Sequence, residues 1–338
     1  MAASIVQDIL NSFDPNSKEE WKVKASQDLK GKPLEALSWQ LNESILLSPY
    51  YTASDVPEMD TAILKESNPD WQVGEHYEIT DYAASNKQIL NDLMHGLTAP
   101  CFLFNSTPSL EDLEALFEGI GLEHIDCHFT SNDSGTYINW LALLKKRGIQ
   151  ASAYFYLDAA LTSSVKSIHI NASAYYKGPE NVHEEIKNSL LVANAMLSQA
   201  SDKQLLADQL QFTFLVDNAY LINIAKLRAF KLLWVFLMKE LNLNVSLPFI
   251  KVNFAPEAYG EDEEDNLIKA TSMAMSAVLG GANHLVVRPI SSTLRSKRLA
   301  RNIQLILKHE SGLNKVVDPA QGSYYIESLT HKLVNYCK

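Results

Sequence analysis

Five short segments carry polar side chains at every second position, the spacing that gathers them on one face of a strand. Ser152, Tyr154, Tyr156 and Asp158 share one such face, and Ser167, His169, Asn171 and Ser173 a second. Gln211, Thr213, Leu215 and Asp217 form a third, Lys251 and Asn253 a fourth, and His284, Val286 and Arg288 a fifth. Amides, hydroxyls, imidazoles, a lysine and an arginine so arranged suit hydrogen bonding, or proton transfer, to a polar ligand. Asp158, His169, Asn171, Asp217, Asn253 and Arg288 are the site candidates. The structural alternative is a closed network, with Arg288 paired to an aspartate, because an unpaired buried polar group costs roughly 1–3 kcal/mol.

Other chemistry finds no support. No serine elbow with following acid and histidine occurs, nor any HExxH. His124 and His128 lie two strand periods apart with no third ligand placed, so no metal site is expected. The acidic run at residues 261–265 reads as the start of a helix, where negative charge meets the positive end of the dipole. Gly280 and Gly281 read as a helix-ending turn.

The elements that must position the candidates alternate in type. Apolar runs at 101–104, 124–129, 151–157, 167–173, 212–217, 249–254 and 284–288, with a weaker one at 316–317, read as eight strands. Helical stretches at 110–117, 138–147, 181–198, 220–241, 265–279 and 296–309 separate most of them. The pattern predicts an α/β fold, a (β/α)8 TIM barrel over residues 91–338, preceded by an extended and helical arm over residues 1–90. In that arm Ser17, with Glu20 three residues on, caps an amphipathic helix ending near Leu29. No GxGxxG or Walker A motif supports a nucleotide-binding doubly wound sheet. Apolar strand positions must face the helices, so the polar set points into the lumen. Tyr154, Tyr156, His169, Lys251 and Arg288 are bulky, which favours a filled or mostly filled lumen over an open passage.

Composition narrows the setting. The chain has 338 residues, 46% hydrophobic, with 40 acidic against 29 Lys and Arg residues. It can build a full core, and it lacks the basic footprint of a nucleic-acid binder. Three cysteines without a CxxC pair argue against a disulfide framework. No apolar run reaches membrane-spanning length, and the first residues do not form a secretory signal. A cytoplasmic location is expected.

Longer motifs carry a resemblance. VVDPAQGSYYIE at 316–327 resembles the VVDPxxGSYYxE signature of methylmalonyl-CoA mutases. IAKLRAFKLLW at 224–234, AMSAVLGG at 274–281 and ARNIQLIL at 300–307 are similar to three helices of that family. EW at 20–21, DLKG at 28–31 and SPYYTASD at 48–55 are similar to its N-terminal arm. The resemblance implies a barrel whose polar-lined lumen is threaded by an acyl-CoA, joined to a C-terminal cobalamin domain, with radical chemistry supplied by the cofactor.

Departures from the catalytic pattern imply a particular branch. No DxHxxG motif occurs, so a cobalamin-binding domain is expected to be absent and no cofactor bound by this chain. The WTIRQYAGF segment of the family's catalytic subunits aligns with residues 71–79, placing Gly74 and His76 where their substrate-contacting arginine and tyrosine stand. The Tyr-His pair of its SISGYH strand falls on Ala172-Ser173 or Ser173-Ala174, and a loop carrying a CoA-contacting arginine before that strand is missing. The resemblance therefore implies a small, non-catalytic subunit, partnered by a large catalytic subunit of methylmalonyl-CoA mutase that carries adenosylcobalamin. A barrel acting with a separate cobalamin-domain protein, and a stand-alone acyl-CoA-binding barrel, stay open as alternatives. No nucleic-acid or membrane partner is expected.

Overall fold

A computed structural model describes residue 12 and residues 16–130, 134–157 and 165–338. They divide into two compact units, one ending at Pro57 and one running from Glu58 to Lys338. In the first, helix α1 (Lys18–Asp28) starts at the expected capping box, Ser17 Oγ accepting from Glu20 N and the Glu20 carboxylate accepting from Ser17 N. None of its residues is buried, so it lacks the inward apolar face expected of it. Trp21 stacks on Tyr50 at 4.7 Å, Lys18 pairs with Asp55, and β1 (Trp39–Gln40) and β2 (Leu46–Leu47) form a short antiparallel ladder.

The second unit is a closed barrel of eight parallel strands. They are β3 (Gln72–Ile79), β4 (Ala99–Phe104), β5 (Asp126–Thr130), β6 (Ser152–Leu157), β7 (Lys166–Asn171), β8 (Leu210–Val216), β9 (Phe249–Phe254) and β10 (His284–Val286), with β10 closing on β3. The fold is a (β/α)8 TIM barrel. Helices α2 (Tyr82–Met94), α3 (Leu110–Leu116) and α4 (Gly135–Arg147) follow β3, β4 and β5. Helices α5 (Val182–Gln199) and α6 (Lys203–Gln209) follow β7. Then α7 (Tyr220–Glu240), α8 (Glu263–Leu279) and α9 (Leu294–Leu305) follow β8, β9 and β10, and α10 (Tyr324–Cys337) ends the chain.

Two sequence expectations are corrected. The first barrel strand is residues 72–79, so the barrel begins before residue 91, and Val316 and Val317 form no strand. Glu75 conceals β3. It breaks the outward apolar series Val73, Tyr77, Ile79, yet it is buried beneath α9, where Arg301 binds it at 2.7 Å. The same guanidinium reaches Asp92 of α2 at 2.8 Å, and the Tyr77 hydroxyl donates to Asp92 at 2.9 Å.

Elsewhere the outward faces follow the alternation. Phe102, Phe117, Phe129, Trp140 and Phe155 are fully buried between strands and helices, in contacts such as Phe102–Phe117 at 5.2 Å and Phe129–Phe155 at 4.8 Å. Burying each such ring contributes roughly 1.5–3 kcal/mol. The acidic run opens α8 as expected, with Asp262 Oδ1 accepting from Asp265 N at 2.7 Å. The glycine pair closes it, Gly281 adopting φ +80°.

Three residues from the family-like motifs meet in one buried cluster. Arg228 of α7 binds Asp318 and Glu327, each at 2.9 Å. Asp318 sits at φ +44°, an uncommon backbone for a side-chain-bearing residue, held by that ion pair. Removing one partner of such a cluster is strongly destabilising because it strands a buried charge. The motifs that carry the resemblance thus fasten the C-terminal segment to the helical layer.

Candidate functional site in the barrel lumen

The side chains directed at the axis form two layers of different character. Toward the N-terminal ends of the strands lies a packed plug. The His128 ring stacks on Tyr154 at 4.3 Å and on His284 at 3.9 Å, and Tyr154 stacks on Phe249 at 4.6 Å. Gln72 Nε2 donates to the Tyr154 hydroxyl at 3.1 Å, leaving Gln72 Oε1 as the acceptor for His128 Nε2 at 2.9 Å. His128 Nδ1 then accepts from the Tyr156 hydroxyl at 3.0 Å. This chain of bonds defines a neutral imidazole, consistent with burial, aided by Lys251 and His76, pushing His128 well below its ordinary value. His284 is driven the same way by burial and by His128, and its Nε2 lies 3.6 Å from Cys101 Sγ.

Gly74 is part of this plug. A Cβ added there would overlap His284 Nε2 and come within 2.8 Å of the Leu285 carbonyl oxygen. The position aligned with a catalytic arginine therefore has no room for a side chain, and the space is taken by an imidazole.

Toward the C-terminal ends the lumen opens into a bowl. His76 and Asn171 are exposed and Leu103 is 40% exposed, although all three belong to inward strand faces. Lys251 forms the floor, buried at 3% exposure. Its Nζ lies 4.8 Å from the centre of the Tyr156 ring and 3.7 Å from Cys101 Sγ. The Asn253 side chain lies beside His76. His76 as a whole keeps some exposure, but burial of its imidazole, and then the Lys251 charge, push it down to about 3.

The candidates separate by position. His169 lies in the lumen, its Nε2 2.8 Å from Thr213 Oγ1 and its ring edge-on to Tyr156 at 4.6 Å; burial pushes it down to about 3. Asn253 is in the bowl, with its Oδ1 buried and unpartnered. Asn171 stands on the rim, accepting from the Ser173 hydroxyl. Asp217 lies just past β8, accepting from the Tyr176 hydroxyl at 2.8 Å and from Ala219 N at 2.8 Å. It lines a separate rim cleft of about 470 Å³ with Tyr176, Lys177, Glu180 and Glu257. Arg288 is exposed and lies over the Tyr259 ring at 5.9 Å, and it makes no ion pair with Asp217 or any other described aspartate. Asp158 lies outside the described residues.

Sequence reasoning missed Gln72, Gly74 and His76 as lumen residues, because β3 was not read as a strand. The signal was there in Gln72, Gly74, His76 and Glu78 at alternate positions. The structural reading of His128 holds, since both its ring nitrogens are bonded within the plug, while His124 is exposed on a turn before β5. Among the described residues no three His, Cys, Asp or Glu side chains converge as a metal site, and no helix is long and apolar enough to cross a membrane.

Comparison with known proteins agrees with this architecture. The methylmalonyl-CoA mutase family model matches residues 151–338. The methylmalonyl-CoA mutase small subunit of Porphyromonas gingivalis is 24% identical over 96% of this chain and 62% of its own length. The small subunit from Streptomyces virginiae is 24% identical over 92% of the chain and 59% of its length. The methylmalonyl-CoA mutase of Cereibacter sphaeroides is 25% identical over 93% and 56%. The chain thus spans about three-fifths of the length of these curated relatives. With more than half of its residues matched, the chain belongs to the methylmalonyl-CoA mutase family.

Proposed function

We propose that this chain is a small, non-catalytic subunit that pairs with and stabilises a large, catalytic methylmalonyl-CoA mutase subunit. That partner would carry adenosylcobalamin and interconvert methylmalonyl-CoA and succinyl-CoA. The observation that carries the reading is the plug. His284 fills the space beside Gly74, and the stacked His128, Tyr154 and Phe249 close the N-terminal half of the lumen that a threaded thioester would need.

Two further observations support it. Relatives over nearly the whole chain include proteins named as small subunits. In the N-terminal unit Trp39 and Leu46 are about half exposed, and such apolar side chains suit burial against a partner.

The residues described do not fit a cobalamin. At the C-terminal mouth the one exposed histidine among the described residues is His76, recessed in the bowl beside Asn253. No step through that cofactor is therefore assigned to this chain.

Mixing the purified chain with a full-length catalytic mutase subunit from the same source tests the proposal. Co-elution in a fixed ratio, a higher melting temperature for the catalytic subunit, and no turnover by this chain alone are expected. Turnover of methylmalonyl-CoA by this chain with added adenosylcobalamin, or failure to co-elute, would refute it.

A further inference from the structure

Lys251 presents a physical problem that no other residue described here resolves. Its ammonium is almost wholly buried at the floor of the bowl. Among the described residues no carboxylate lies within ion-pair distance of it. Its one hydrogen-bonding neighbour is the Cys101 sulfur at 3.7 Å, a weak acceptor, and its second contact is the face of Tyr156. Of the other buried cations, Lys226 pairs with Glu185 at 2.6 Å, Arg228 with Asp318 and Glu327, and Arg301 with Glu75 and Asp92, while Lys231 makes no ion pair but donates to the Gly281 carbonyl oxygen, a strong acceptor, at 2.7 Å. A buried charge without a counter-charge is costly, and proteins rarely retain one without a use for it.

A second, independent observation lies beside it. Asn253, the next inward residue on the same strand, has a buried side-chain oxygen with no donor. The bowl thus holds excess donors at its floor and an unmet acceptor in its wall. It is also open. Leu103, 40% exposed, and the half-buried Leu215 give its wall an apolar surface that water reaches.

We infer that the C-terminal half of the lumen binds a small free carboxylic acid as its anion. The carboxylate would accept from the Lys251 ammonium, its short carbon stem would lie against Leu103 and Leu215, and a hydroxyl or a bound water would donate to Asn253 Oδ1. A free acid fits where a CoA thioester does not, because the plug closes the lumen directly beneath Lys251. The apolar wall favours an organic anion over phosphate or chloride. This assignment needs no partner subunit, so its failure would leave the proposed pairing untouched.

The test titrates the purified chain with sodium isobutyrate, malonate and lactate, with potassium phosphate and sodium chloride as controls at constant ionic strength. Melting temperature and carboxylate ¹³C line broadening are followed. At least one organic acid is expected to raise the melting temperature saturably and to broaden, with phosphate and chloride at least tenfold weaker. Lys251→Met should abolish the saturable effect. As a second variant that leaves Lys251 in place, Leu103→Trp, which fills the bowl from its exposed wall, should weaken binding at least tenfold as well. Absence of any saturable effect, phosphate matching the organic acids, or equal binding by a folded variant would overturn the site.

Discussion

The two halves of the lumen are built from one alternation of sequence yet differ in state. In the N-terminal half bulky rings share a layer. Strand register sets His128 beside both Cys101 and Tyr154, and His284 beside both Gln72 and Lys251. Rings that meet at 3.9–4.6 Å leave no bore, and His128 and the Tyr154 hydroxyl find their hydrogen-bond partners within the plug. In the C-terminal half the inward residues are shorter or stand apart, and several keep one partner or none. Closure here is a matter of which residues share a layer, more than of how polar the strands are.

The sharpest way to break this comparison is to restore the arginine that the catalytic pattern places at residue 74. Gly74→Arg is expected to prevent folding, since even a Cβ collides with His284 and the β10 backbone. Recovery of folded Gly74→Arg with native circular dichroism would show that the plug yields easily. Acid comes next. His128 and His284 are neutral in the folded chain, held down chiefly by burial, while an unfolded chain protonates them below about 6.5. The unfolded state then binds more protons, so stability is lost as pH falls through that value. Between pH 7 and 5 each should cost roughly 2 kcal/mol, read from urea midpoints. His76 and His169, each pushed down to about 3, add to the same loss, so His128→Gln should remove about a quarter of what the four lumen histidines contribute.

Smaller effects sharpen the contrast. Gly74→Ala should cost about 1–3 kcal/mol by overpacking the plug. Tyr154→Phe, which removes the hydroxyl that accepts from Gln72, should cost about 1 kcal/mol. Leu103→Ala in the bowl should cost under about 1 kcal/mol, because that side chain is already 40% exposed and leaves no sealed cavity. Equal losses at Tyr154 and Leu103, or a larger one at Leu103, would erase the distinction between plug and bowl.

Much of this was legible in the sequence, and the failures have physical causes. Strands such as 249–254 were readable because Ile250, Val252 and Phe254 must meet helices while Lys251 and Asn253 face inward. The first strand was hidden by Glu75, whose buried partner Arg301 lies 226 residues away in the chain. Val316 and Val317 have β-branched side chains but no strand to pair with, and Val316 is 56% exposed. The bulk of Tyr154, Tyr156 and Lys251 predicted a filled lumen; only register shows that filling is concentrated at one end. Arg288 looked like half of an ion pair because its type suits one, but its side chain lies on Tyr259.

Titration calorimetry of the purified chain with succinyl-CoA and methylmalonyl-CoA tests the closed lumen most directly. No saturable heat is expected up to millimolar thioester, for the native chain and for His284→Ala alike, since the His128, Tyr154 and Phe249 stack remains. Micromolar binding by the native chain that is lost on filling the bowl with Leu103→Trp and is not matched by free succinate or methylmalonate would contradict it, because the rest of the thioester would then be held inside the plug.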